Sequence, residues 1–169
     1  MTEPEGEFHA LVAIGAICVV RWGADPDAEL VRNVTARLLE VRRSQQRPLA
    51  LVVIAHPAMK EPSQAAREEF MRVGPSFARA LSCAYAVVSP DALHRPVQVG
   101  VFEAMKAFNP VPSDICDSLD VGLRAAAIAV GAKAESVIEE ARRRGLYDED
   151  DGPVSVRRPA NPARTGERP

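Results

Sequence analysis

Short apolar runs rich in β-branched residues recur along this chain, and each is separated from the next by a stretch with helical periodicity. Ile17–Trp22, Leu49–Ala55 and Cys83–Val88 are such runs. A continuous apolar run of this length fits a strand covered on both faces, as in a parallel sheet. Between the runs, Val31, Val34, Leu38 and Val41 recur at helical spacing among Arg32, Arg37, Glu40 and Arg42. That pattern predicts a surface helix with one buried face. Asp25 before Pro26 offers an N-cap with a proline at the first helical position. Ahead of the first run, Ala10–Ile14 is apolar and Gly15–Ala16 breaks it, so the two segments predict an antiparallel hairpin.

The later segments continue the alternation. A second helix is expected from about Ser63, with Ala66, Phe70, Val73, Phe77 and Leu81 facing inward. Gly74–Pro75 falls in its middle, where a kink or a break into two helices is expected. Pro96 can open a third helix, whose stripe Val97, Val101, Ala104 and Phe108 reads as its buried face. Asn109–Pro110 ends it, Pro112–Cys116 can form an edge strand, and Asp117 or Ser118 caps an alanine-rich last helix that pauses or bends at Gly131 and stops near Gly145. The fold class that follows is α/β. A mixed, mostly parallel sheet is opened by an antiparallel hairpin and packed with helices through right-handed crossovers. The expected domain spans 8–147. The remainder, 148–169, is acidic and then rich in proline and arginine, and is expected to be disordered for want of apolar surface.

Composition narrows the function classes. With 47% hydrophobic residues in 169, the chain can build a core without disulfides or a metal. A formal net charge of −2 and 5% aromatic residues give neither a basic field nor stacking platforms for nucleic acid. The longest weakly polar runs fall short of the roughly 20 residues that a membrane-spanning helix needs. Three widely spaced cysteines, Cys18, Cys83 and Cys116, read as reduced thiols, and the expected location is cytoplasmic.

Chemistry-bearing motifs are sparse. No Gly-x-Gly-x-x-Gly, Walker-type loop, Gly-x-Ser-x-Gly elbow or His-Glu-x-x-His is present, so no cofactor is expected. His56, His94 and Cys116 each fall at or just past the carboxyl end of an expected strand, where α/β sheets gather ligands. They could hold zinc or, as Cys116 with His94, act as nucleophile and base. Their wide spacing matches no known motif, and surface histidines and a buried cysteine account for them, so no metal and no enzymatic activity are expected. Ser63 suits an N-cap, and the same position would let a phosphate meet free backbone N–H groups with Arg67 one turn away. The loop His56–Ser63, stiffened by Pro57 and Pro62 and carrying Met59, Lys60 and Glu61, is an expected contact surface for a protein partner.

The element order resembles the STAS domains, the anti-sigma-factor antagonist family, and in particular their SpoIIAA-like branch. The matching features, over roughly Phe8 to Val130, are the hairpin around Gly15, the run Leu49–Ala55 leading into a helix near Ser63, the run Ala84–Val88, and Phe108-Asn109-Pro110 leading to Asp117-Ser118-Leu119. The resemblance implies a non-catalytic regulatory or scaffolding domain that binds a protein partner, in bacterial signalling. It implies Ser63 as phosphoacceptor, although Glu61-Pro62-Ser63-Gln64 stands where the family has an Asp-Ser-Ser-Gly-like motif. Some SpoIIAA-like members look like apolar-ligand binders, so an alternative is a sensor of a small apolar ligand or lipid. A small enzyme using His56, His94 or Cys116 is the remaining reading.

Overall fold

A computed structural model of the chain describes residues 11–108 and 110–147; the expected tail at 148–169 and Asn109 lie outside the described residues. Two strands open the chain, β1 (Val12–Ile14) and β2 (Ile17–Trp22), paired antiparallel with Ile14 opposite Ile17. The two-residue connection matches the type II′ pattern, with Gly15 at a positive φ of 57° in its first position. The helix α1 (Ala28–Gln45) follows, then β3 (Leu49–Ala55), α2 (Gln64–Ala80), β4 (Leu81–Val87), α3 (Arg95–Phe108), β5 (Ser113–Cys116), α4 (Leu119–Val130) and α5 (Ala134–Arg143). The strands form one sheet in chain order, β1-β2-β3-β4-β5, and every pair after the hairpin is parallel. The expected mixed, mostly parallel sheet with packed helices is therefore the observed one. It is consistent with the STAS resemblance and not specific to it.

Strand order decides where the helices go. The three crossovers from β2 to β5 all step in the same direction, and right-handed crossovers then place α1, α2 and α3 on one face. The period-2 alternation of the strands agrees. Cys18, Val20, Trp22, Leu51, Val53 and Ala86 pack with Leu30, Leu38, Val73, Phe77 and Phe102 on that face. The alternate residues Ile17, Val19, Ala50, Val52, Cys83 and Val87 pack against Leu123, Ala126, Ala127, Val137 and Ile138 of α4 and α5. Two cores thus sandwich one sheet, which explains why Leu49–Ala55 is apolar throughout.

Several local readings are corrected. The N-cap of α1 is Asp27, whose side chain accepts from Leu30 N at 2.8 Å, not Asp25; the proline precedes the cap instead of opening the helix. Pro75 does not divide α2, which runs from Gln64 to Ala80 with the proline inside. Proline strips the carbonyl of Met71 of its helical donor, but Met71 lies on the exposed side, where water can replace it. The preceding residue is Gly74, which has no Cβ to clash with the ring. Leu81 is not a helical core residue but the first residue of β4, so that strand starts two residues before Cys83. Gly131, at φ 69°, ends α4 outright and α5 is a separate helix.

A candidate groove and the sites expected from sequence

The loop after β3 is tied down from three sides. His56 N donates to Trp22 O at 2.9 Å, Lys60 N to Ala24 O at 3.0 Å, and Met59 N to His56 O at 2.8 Å. His56 Nδ1 accepts from Ala58 N at 3.0 Å, so the imidazole serves as a clip within its own loop. From α3, the amide of Gln98 reaches in. Its Nε2 donates to the carbonyls of His56, Pro57 and Met59 at 3.1, 3.2 and 3.2 Å. Gln98 is fully buried, and its Oε1 is a buried acceptor with no partner among the described residues. Met59, read as an exposed contact residue, is instead fully buried in the core beneath α1–α3. A loop anchored to β2 and α3 turns its one large apolar side chain inward, and its polar neighbours Lys60 and Glu61 remain exposed.

Ser63 is the N-cap of α2. Its hydroxyl accepts from Ala66 N at 3.1 Å, which satisfies one orphan donor of the first turn. Arg67, one turn on, pairs with Glu61 at 2.5 Å.

The largest difference from expectation lies in α3. Its apolar stripe Val97, Val101, Ala104 and Phe108 is not the buried face. Val97 is 43% exposed and Phe108 is 50% exposed, while Gln98 and Phe102 are the buried residues. The helix carries a second apolar row, Val99, Phe102 and Met105, which packs on the core under α1–α3. The first row faces a groove of about 530 Å³ between α2 and α3. Phe70 and Met71 of α2 form the opposite wall, and Glu61, Gln64, Arg67 and Glu68 rim it. Glu61 and Arg67 of the expected contact surface thus border the groove. The sequence signal was present as the stripe itself, assigned to the wrong side of the helix.

Beneath α2 and α3 lies a second space, a cavity of about 80 Å³ against the sheet. Phe70, Met105 and Phe108 line both. Trp22 is part of its lining, with ring centroids 5.1 Å from Phe70 and 5.4 Å from Phe102.

Cys116 is buried, and burial together with the charges of Asp114 and Asp117 pushes its thiol pKa up. Cys18 is pushed up to about 12 by burial, against a smaller opposing effect of Arg37. Thiols in that state stay protonated and are poor nucleophiles or metal ligands. Among the described residues no group of three or more His, Cys, Asp or Glu is placed to hold a metal ion, so His56, His94 and Cys116 do not form one. At that end of the sheet Arg95 donates to Val88 O and to Asp117 Oδ1, both at 2.7 Å, and joins the start of α3 to the turn before α4. Among the described residues no helix is long and apolar enough to cross a membrane.

Comparison with protein-family models finds no match for this chain, and comparison with curated proteins finds none either.

Proposed function

We propose that this chain acts by binding, as a regulatory or scaffolding domain whose α2–α3 groove takes an amphipathic helix from a protein partner. One observation carries the reading: α3 presents an apolar stripe that its own fold leaves largely exposed at Val97, Ala104 and Phe108, facing apolar residues of α2 across a groove. A contiguous apolar surface with a charged rim suits recognition. A groove between two helices suits a third helix with apolar residues at i, i+3 or i+4, and i+7. The pinned loop and the Ser63 cap fix the start of α2, so little ordering entropy is lost when a partner docks.

The test uses the full chain as bait beside two variants. Val97→Glu with Met71→Glu places carboxylates in the groove, and Ile128→Glu does so on α4, where Ile128 is 79% exposed on the opposite face. Proteins retained by the wild type and by Ile128→Glu, released by the groove pair, and cross-linked at the groove are the expected result. Retention by a folded groove variant overturns the proposal. Self-association in sedimentation that the groove pair abolishes would replace the partner helix with a second copy of the chain.

A further inference from the structure

The cavity beneath α2 and α3 has a cause in the sequence. On this face of the sheet β3 presents Leu51 and Val53, and directly beside them the neighbouring β4 presents Ala84 and Ala86. Two methyl groups stand where branched side chains would fill the layer. Trp22, Phe70 and Phe102 also line the space, the Trp22 ring stacked with Phe102 and tilted against Phe70. The space is a pocket partly open to solvent, and an apolar ligand there would regain dispersion contacts that its lining lacks. It measures about 80 Å³, against roughly 10–15 Å³ for a single water.

The lining decides what could occupy it. Its walls are mostly hydrocarbon and aromatic, with Tyr85, Lys106, Ser113 and Asp114 as the polar residues among them beside the indole of Trp22. Water placed deep in such a space lacks the two to four polar partners that hold buried water. Lys106 is paired with Glu103 at 2.7 Å, so it offers no unmatched charge to an anionic head group.

We infer that the space between Ala84–Ala86 and the Trp22, Phe70 and Phe102 rings is a binding site for a small uncharged apolar molecule. A hydroxyl or similar polar substituent on that molecule would lie toward Ser113. The site stands whether or not the groove outside it takes a partner helix.

The protein reports on this site directly, because Trp22 is its sole tryptophan and forms part of the cavity wall. Toluene and phenol are titrated into the full chain while Trp22 emission and the melting temperature are followed. The wild type is expected to show a saturable emission change and a melting temperature that rises by several degrees with ligand concentration, as binding to the folded state alone requires. Ala84→Leu fills the void and is expected to abolish both responses; Ala86→Val, a smaller addition, serves if the leucine does not fold. The absence of a saturable response in the wild type overturns the inference. An undiminished response in a folded, filled variant also overturns it, since the probe then binds elsewhere.

Discussion

The α-carbon of Gly74 faces the carbonyl oxygen of Phe108 so closely that a Cβ at residue 74 would stand 2.8 Å from it. In an open helix interior, glycine to alanine stabilises by about 1 kcal/mol. Here the obstacle is backbone, which cannot rotate away, so the sign reverses. Gly74→Ala is expected to destabilise the domain by about 1–3 kcal/mol, the usual range for overpacking. Denaturant unfolding measures it, and a stabilised Gly74→Ala would show that the two helices are not in contact there.

Gln98 connects α3 to the loop after β3 through three backbone carbonyls. Gln98→Met keeps the length and removes the donors. The expected loss is about 1–3 kcal/mol, since the carbonyls of Pro57 and Met59 lose this donor, while His56 O keeps that of Met59 N. Amide exchange at Met59 and Lys60 should accelerate more than exchange in β3. Exchange that rises equally throughout the sheet would mean that Gln98 supports the core in general and not this loop.

The Ser63 hydroxyl caps α2. Ser63→Ala should cost about 1 kcal/mol, and Ser63→Asp, an equally good cap, should cost little. Thermal or denaturant melts of the two variants decide the matter. Equal losses would assign Ser63 a role other than capping.

Cys18 is neutral in the fold because burial raises its thiol from 9.0 to about 12. Unfolded, it ionises near the lower value, so above that pH the unfolded state releases a proton that the folded state keeps. The stabilising contribution is complete below pH 9 and is lost as the pH rises toward 12. Cys18→Val should flatten the alkaline limb of a plot of stability against pH. Tyr85, Tyr147 and Cys116 are also raised by burial and leave a residual slope. An unchanged limb in the variant would place the alkaline sensitivity entirely on those three groups.

The strands were legible because burial on both faces leaves little room for polar residues, and the caps at Ser63 and Ser118 because short hydroxyl side chains precede apolar periodicity. The groove was only half legible. In α3 the row Val97, Val101, Ala104 and Phe108 competes with the row Val99, Phe102 and Met105, and periodicity alone does not choose which row the sheet covers. The three carbonyl partners of Gln98 lie about forty positions earlier, so no local pattern announces a buried amide. The burial of Met59 is illegible for the same reason. Its burial follows from bonds that run from its loop to β2 and α3, not from the residues beside it.

A sheet whose strands lie in chain order can assemble in the order of synthesis. Each parallel strand emerges from the ribosome beside the one before it, and its helix closes over the same side. Among the described residues the other side receives its cover from α4, α5 and the two residues Leu146 and Tyr147 near the end of the described chain. Until they emerge, the nascent sheet carries a bare surface of Ile17, Val19, Ala50, Val52 and Cys83, the kind of exposed apolar surface that chaperones recognise during synthesis. Stalling translation between β5 and α4 would hold the chain in that half-covered state.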